Sequence, residues 1–97
     1  MDMETLMAQA QDLQTKISAA QDSLANMQVK GIAENGSVVV SMTGKYDVLS
    51  VVIRPETLSL GADVVSKLVA DAYKDAKSKS DVLIEKVMSE VTGGLSE

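Results

Sequence analysis

The feature that most constrains this chain is a continuous heptad pattern near its start. Between residues 3 and 28 apolar side chains recur at alternating spacings of three and four, and no glycine or proline interrupts them. The series consists of Met3, Leu6, Ala10, Leu13, Ile17, Ala20, Leu24 and Met27. This spacing places the apolar side chains on one stripe of an α-helix. The pattern therefore predicts a helix over residues 3–28, about 38 Å long.

The period changes to that of β-strands over residues 29–54. Asn35-Gly36 separates two short runs rich in valine, and this dipeptide is the strongest short-range signal for a hairpin. Gly44 marks a second turn. Pro55 ends the third run, because proline cannot donate a ladder hydrogen bond. We expect a three-stranded antiparallel meander over residues 29–54.

A second helical stripe follows over residues 63–91. Its apolar positions are Val65, Leu68, Val69, Ala72, Ala76, Leu83, Val87 and Val91, which repeat with the period of an amphipathic helix. A polar stretch at residues 77–81 interrupts the stripe, and we expect a bend or a solvated segment there. Gly93-Gly94 is a helix-stop signal. Residues 92–97 are expected to form a flexible tail.

The order of elements predicts a single α/β (α+β) domain over residues 1–97. A strand of about seven residues spans only about 23 Å, so the long first helix must extend beyond the sheet. A three-stranded sheet also has two open edges, which one small domain protects poorly. Both features predict a homodimer that joins sheets, packs helices between chains, or does both.

Composition excludes most catalytic and metal-binding chemistry. The chain has no Cys and no His, so it lacks thiols, the commonest general base and the usual zinc ligands. The absence of Cys also favours a cytoplasmic location. Carboxylate pairs such as Asp71 and Asp75 have no His, Cys or phosphate loop beside them, and we interpret them as solvated surface groups. We expect no enzyme activity, metal ion, cofactor or small-molecule substrate.

Charge and hydropathy argue against two kinds of partner. The net charge of −5 disfavours bulk attraction to nucleic acid or to an anionic membrane. No apolar run approaches the roughly 20 residues that cross a bilayer. The acidic residues 1–4 lack the basic and apolar regions of a signal peptide. We therefore expect no membrane partner.

Short motifs along nearly the whole chain stand in a characteristic order. They are Leu6-Met7-Ala8-Gln9-Ala10-Gln11 with Gln14, Lys16, Gln21, Leu24 and Ala25, then Val29, Gly31, Gly36, Val38, Val40 and Gly44, then Val51, Ile53 and Pro55, and finally Thr92-Gly93-Gly94-Leu95. At these spacings they resemble the YbaB/EbfC family of bacterial nucleoid-associated proteins. The chain departs from that family at Asn35-Gly36, where a glycine-rich turn is common, and at Arg54, where an acid is usual.

The resemblance implies a tweezer-like homodimer with a shared sheet and protruding helices. It implies a double-stranded DNA-binding protein of the nucleoid that organises it or modulates gene expression, without catalysis. No recognition-helix signature, zinc finger or basic zipper is visible. We therefore expect weak sequence preference and strong salt dependence.

The candidate DNA contacts are lysines, which bind phosphates, and glutamines, which add neutral hydrogen bonds. They are Lys16, Lys30, Lys67, Lys74, Lys77, Lys79, Lys86, Gln14 and Gln21. Alternatively, the lysines simply solvate the helices and pair with neighbouring acids such as Asp71, Asp75, Asp81 and Glu85. The second candidate function is an acidic coiled-coil interaction module without DNA binding, which the heptad supports.

Overall fold

The computed structural model describes residues 2–93, which form two long helices and a small sheet. The elements are α1 (Met3–Ala25), β1 (Gln28–Ala33), β2 (Val38–Thr43), β3 (Val48–Ile53) and α2 (Ala62–Gly93). Short 3-10 turns follow β1 at Glu34–Gly36 and β3 at Pro55–Leu60. This order confirms the predicted fold class. Of the predicted tail, residues 92–93 belong to α2, and residues 94–97 lie outside the described residues.

The sheet is an antiparallel meander in the order β1-β2-β3. Val38, Val40 and Met42 of the central strand are fully buried and form the middle of the core. The β1–β2 turn uses Asn35 and Gly36 at φ of 54° and 84°, the left-handed region that these residue types tolerate best. The first helix ends at Ala25 rather than at residue 28, since Gln28 already begins β1.

Helix α2 crosses one face of the sheet and lies directly on β1. Its contact side consists of the buried residues Leu68, Ala72 and Ala76. A Cβ added at Gly31 would stand 2.0 Å from the carbonyl oxygen of Ala72 and 2.3 Å from the backbone nitrogen of Ala76. The glycine therefore allows the helix backbone to pack on the strand backbone without an intervening side chain.

The polar stretch at residues 77–81 is part of a continuous helix, so the expected bend is wrong. Ser80 is fully buried there, and its Oγ donates a hydrogen bond of 3.0 Å to the carbonyl oxygen of Thr43. A small side chain fits this close contact, and the hydrogen bond satisfies its hydroxyl. Ser80 is accordingly packed against the end of the sheet, whereas the other four residues of the segment are exposed, as expected for a solvated stretch.

Beyond the sheet, α1 runs back along the C-terminal half of α2. We call α1 together with residues 81–93 of α2 the arm. Ala20 and Leu24 are buried in it, and Leu13 and Ile17 are half-buried. The C-terminal part of the heptad stripe therefore packs within one chain, whereas its first three positions are exposed. The molecule is correspondingly elongated, with dimensions of 68 × 19 × 16 Å.

The base of the arm is attached to the β2–β3 turn. The backbone N–H of Gly44 donates to the carbonyl oxygens of Leu24 at 3.0 Å and Met27 at 3.1 Å. The far end of α1 is bare, with Met3 73% and Met7 59% exposed.

Candidate nucleic-acid interface

The sequence-predicted DNA contacts are all exposed, and the structure divides them between two regions. The arm carries Lys16, Lys86, Gln14 and Gln21. The sheet and the part of α2 that covers it carry Lys30, Lys67, Lys74, Lys77 and Lys79. The lysines on the part of α2 that covers the sheet are therefore separated from those of the arm, and their environments differ.

The side of α2 that faces away from the sheet presents Lys67 and Lys74. These residues lie seven positions apart in the sequence, so they project from the same side of the helix. That side is opposite the buried Leu68 and Ala72. Asp71 lies between the two lysines, but among residues 2–93 no ion pair joins it to either of them. Both ammonium groups are therefore available to a phosphate.

Lys77 is positioned over the turn between β2 and β3. Its Nζ lies 5.8 Å from the ring centroid of Tyr46, within the range of a cation–π contact. The hydroxyl of Tyr46 donates a hydrogen bond to the carboxylate of Asp81. That hydrogen bond is the main reason why the pKa of Tyr46 is raised above its usual value of 10.0. Lys77 thus belongs to a small cluster that joins α2 to the turn.

Lys79 projects on the other flank of α2 and binds the free edge of β1. Its Nζ donates to the carbonyl oxygen of Lys30 at 2.7 Å and forms an ion pair of 3.0 Å with Asp75. The Asp75 carboxylate accepts a hydrogen bond of 2.9 Å from the backbone N–H of Ile32. This N–H is the largest cause of the lowered pKa of Asp75, and Lys79 adds to it.

This geometry corrects the interpretation of Asp75 as a simply solvated carboxylate. The side chain is half-exposed, with 39% of its area accessible, yet it binds a backbone group of another element. We call Asp75 and Lys79 together the edge clamp. The clamp already engages the ammonium group of Lys79. The side chain of Lys30 lies on the face of the sheet opposite α2, and the residue paired with Lys30 on β2 is Ser41.

Lys16 borders a groove between the two helices of the arm. The groove has a volume of about 510 Å³, and Lys16 and Glu90 lie among otherwise mostly apolar lining residues. Gln14 and Gln21 are seven positions apart on α1 and project from one side of it. Lys16 lies two positions after Gln14 and therefore projects from a different side of α1, so the amide groups and the ammonium group of the arm are presented on separate sides of the helix.

Neither a metal site nor a membrane span adds to this surface in the part of the chain that is described. Within residues 2–93, no three side chains of the metal-binding types come close enough together to hold an ion. None of the helices in the same range is long and apolar enough to cross a membrane.

The roles of Ser80 and of the edge clamp were not identified from the sequence, although the spacing of these residues along α2 gives a signal for each. Ser80 continues the spacing of Ala76 and Leu83, so it occupies a stripe position despite its hydroxyl. Asp75 and Lys79 stand four residues apart, which is the spacing of a helical ion pair. The spacing alone predicted the pair but could not reveal that both members also bind β1.

Comparison with known proteins yields consistent matches along the whole chain. The model of the YbaB/EbfC DNA-binding family matches residues 1–95. A nucleoid-associated protein of Gloeothece citriformis is 38% identical over 95 residues, which cover 98% of this chain and 83% of that protein. A nucleoid-associated protein of Bradyrhizobium diazoefficiens is 39% identical over 95 residues, covering 97% of this chain and 90% of that protein.

A third relative and one solved structure agree with these matches. A nucleoid-associated protein of Bordetella avium is 40% identical over 90 residues, covering 93% of this chain and 83% of that protein. The crystal structure of the uncharacterized protein HP0035 from Helicobacter pylori superimposes with a TM-score of 0.63 over 91% of this chain and 98% of that one. Its sequence identity is 16%, so this likeness establishes the fold alone.

Proposed function

Because this chain belongs to the YbaB/EbfC DNA-binding family, we propose that it binds double-stranded DNA in the cytoplasmic nucleoid as a homodimer, without catalysing a reaction. The observation that carries the proposal is the family match over residues 1–95. The relatives named nucleoid-associated proteins support the location. The proposed role is to organise the nucleoid or to modulate gene expression.

The shape of the chain supports a tweezer-like mode of binding. One chain projects one arm from its sheet, and a two-fold dimer would project a matched pair. Two arms that hold a duplex between them would contact its backbone from both sides. Contacts to the backbone carry no sequence information by themselves, so we expect weak sequence preference.

Because the chain is acidic overall, we expect its contacts to DNA to come from a few exposed lysines rather than from the net charge of the protein. With a net charge of −5 per chain, the field of the whole protein repels a polyanion. Binding therefore depends on lysines that are not already held in an ion pair. Within residues 2–93, Lys67 and Lys74 form none, although Asp71 lies between them on the outer side of α2. Lys16 and Lys86 supply charge on the arm. We assign secondary roles to Lys30, Lys77, Gln14 and Gln21, whereas Lys79 acts mainly through the edge clamp.

The test is a fluorescence-anisotropy titration of a labelled duplex at several salt concentrations. We expect the logarithm of the association constant to fall linearly with the logarithm of the salt concentration, by about 0.9 per phosphate contact. The variant Lys67→Gln/Lys74→Gln should bind more weakly and show a shallower slope. Lys45→Gln is the matched control, because it removes a lysine outside the proposed contact set.

Two results would contradict the proposal. Wild-type protein that fails to bind duplex at low salt would remove DNA binding altogether. Binding that ignores salt would remove the phosphate-contact mechanism. A failure of the Lys67→Gln/Lys74→Gln variant to alter binding would shift the contact to the arm, where Lys16→Gln/Lys86→Gln tests it in the same way.

The acidic coiled-coil module is the less favoured alternative. Its main support was the heptad of α1, but Ala20 and Leu24 of that stripe are already buried within a single chain. The family match also describes DNA binding rather than a coiled-coil function. A folded wild-type dimer with no affinity for duplex would restore this alternative.

A further inference from the structure

We propose that α2 is held on its two flanks by opposing polar contacts, from the edge clamp to β1 and from Lys77 and Asp81 to Tyr46, and that these contacts set the direction of the arm. We call Tyr46 with Lys77 and Asp81 the turn latch. The inference rests on the proposed function only where it gives the latch a positioning role in duplex binding.

Helix α2 approaches the sheet most closely at one point, where it crosses β1. Gly31 leaves room there for the backbone at Ala72 and Ala76, and a Cβ on this glycine would overlap atoms of both residues. Interdigitating side chains are what normally fix the angle of a packed helix. Here the facing groups are a hydrogen atom and methyl groups, so they interlock little. The angle of α2 on the sheet therefore depends on contacts farther along the helix.

Those contacts come from opposite flanks of α2. Asp75 and Lys79 lie four positions apart, as do Lys77 and Asp81, so each pair shares one side of the helix. At 3.6 residues per turn, the pairs stand about 80–120° to either side of the buried Ser80. The edge clamp binds backbone groups of β1 at 2.9 and 2.7 Å, whereas the turn latch binds the β2–β3 turn. The helix is thus held from both sides.

The β2–β3 turn is a well-fixed base for the latch. Each of the five backbone N–H groups of residues 43–47 donates a hydrogen bond. The Oγ1 of Thr43 accepts two of these bonds, from Lys45 at 3.1 Å and from Asp47 at 3.2 Å. Since every amide of the turn already has a partner, a rearrangement would have to break one of these hydrogen bonds.

The backbone of Tyr46 indicates that the latch offsets strain. Its φ is 68°, in the left-handed region that a bulky residue rarely adopts. Glycine or asparagine would fit this position at a lower cost. A strained conformation persists where the surrounding structure compensates for it. The hydrogen bond from the Tyr46 hydroxyl to Asp81 and the contact of its ring with Lys77 supply that compensation.

Small changes of angle at the sheet become large displacements along the arm. From Ala76 to Gly93 the helix rises about 26 Å, so a swing of about 10° moves its end by about 4–5 Å. A hydrogen bond to a phosphate tolerates much less than that. The flank contacts therefore fix where Lys16 and Lys86 of the arm lie relative to the sheet. In the homodimer proposed above, they would also fix the gap between the two arms.

Spin labels on paired cysteines measure the angle, because the chain has no native Cys. Ser50→Cys on β3 and Ser89→Cys on the arm are both at exposed positions, and the distance between the labels spans the latch side of α2. An excess of unlabelled chain restricts each double electron–electron resonance measurement to a single chain. Circular dichroism checks that every variant is folded.

Tyr46→Phe removes the hydroxyl that binds Asp81 and keeps the aromatic ring. The edge clamp is then unopposed, so α2 should swing toward the β1 edge. We expect the distance between the labels to lengthen by about 3 Å, which corresponds to a swing of about 10°. Tyr73→Phe is the matched control, because it removes a hydroxyl from a similarly exposed tyrosine on α2, and it should leave the distance unchanged.

Asp75→Ala/Lys79→Ala removes the opposing contacts, so the same distance should shorten. The control Asp71→Ala/Lys74→Ala removes the same two charges from the outer side of α2 and should keep the wild-type distance. If the clamp variant does not fold, Lys79→Ala alone is measured instead. Changes of opposite sign support the proposal. A wild-type distance in either variant, or changes of the same sign in both, would overturn it.

Duplex binding separates a positioning role of the latch from a direct contact. Tyr46→Phe removes no charge, so the dependence of its affinity on salt should keep the wild-type slope. If the arm then has the binding direction for about a third of the time, the affinity falls about threefold. A shallower slope, or wild-type affinity in a variant whose arm has moved, would overturn the positioning role. A wild type that does not bind duplex contradicts the proposed function, whereas the label distances still test the flank contacts.

Discussion

The Oγ of Ser80 donates a hydrogen bond of 3.0 Å to the carbonyl oxygen of Thr43, at the point where α2 leaves the sheet. Both residues are buried, Ser80 completely. The contact joins the middle of a 32-residue helix to the end of the central strand. It therefore lies at the junction between the sheet and the arm, where the direction of the arm is set.

We predict that Ser80→Ala lowers the free energy of unfolding by about 1 kcal/mol, the usual net contribution of one hydrogen bond. The cost stays modest because the carbonyl oxygen of Thr43 also accepts from the backbone N–H of Tyr46 at 3.1 Å. Urea unfolding followed by circular dichroism measures the change. Ser78→Ala, an exposed change on the same helix, should leave the midpoint nearly unaltered.

Gly31→Ala should be more damaging. The new Cβ would stand 2.0 Å from the carbonyl oxygen of Ala72, and neither backbone can move aside without separating α2 from β1. We expect a loss of about 3 kcal/mol or more, at the upper end for overpacked cores. Gly93→Ala is the control, because nothing lies within 4 Å of the added atom there. Equal thermal midpoints for the two variants would contradict the close helix–strand contact.

Leu24→Ala tests whether the arm is anchored at its base. Leu24 is 4% exposed, whereas Leu6 on the same heptad stripe is 48% exposed. Removing a buried leucine side chain costs about 2–5 kcal/mol, so Leu24→Ala should unfold at much lower urea concentration. Leu6→Ala should change the midpoint little. A large effect of Leu6→Ala would instead show that the far end of α1 is covered in solution.

The edge clamp predicts a pH dependence of stability. The pKa of Asp75 is lowered from its usual 3.8, chiefly by the N–H of Ile32 and further by Lys79. The folded protein therefore favours the ionised carboxylate, which adds to the free energy of unfolding. This addition is fully present above the pKa that Asp75 has in the unfolded chain. It is lost as pH falls through the lower pKa that Asp75 has in the folded protein. Wild type should exceed Asp75→Asn in stability at pH 7, and the difference should shrink below about pH 4.

Urea unfolding of both proteins at pH 7 and pH 3 checks this prediction. The comparison with Asp75→Asn isolates one group, because the other carboxylates titrate in both proteins. The asparagine amide oxygen can still accept the N–H of Ile32, so the variant keeps the shape of the contact and loses its charge. A difference that stays constant with pH would contradict the assigned cause.

Much of the architecture could be predicted from local patterns. Three of these patterns depend only on residues that are close in the sequence: the heptad of α1, the Asn35-Gly36 turn and Pro55 after β3. They are enough to predict the order of helix, three strands and helix. The same reasoning failed at Ser80, because a serine within a polar run looks solvated unless the chain segment that contacts it is known.

The candidate site was predictable only in part. The sequence showed which residues carry positive charge, but Lys67, Lys77 and Lys79 look alike in it. Their environments differ because α2 turns one flank to the β2–β3 turn, the other to β1, and its outer side to solvent. The pairing of Lys77 with the Tyr46 ring and of Lys79 with a backbone carbonyl depends on that docking.

The sequence by itself determined the kinds of element, their order and the absence of thiol and imidazole chemistry, since these depend on local periodicity and residue type. Only the tertiary structure decided which sheet edge is closed and which lysines are engaged. The deciding hydrogen bonds join Asp75 to Ile32 and Lys79 to Lys30, across 43 and 49 residues. Their acceptor or donor on β1 is a backbone group that every residue type except proline carries, so no sequence pattern marks it.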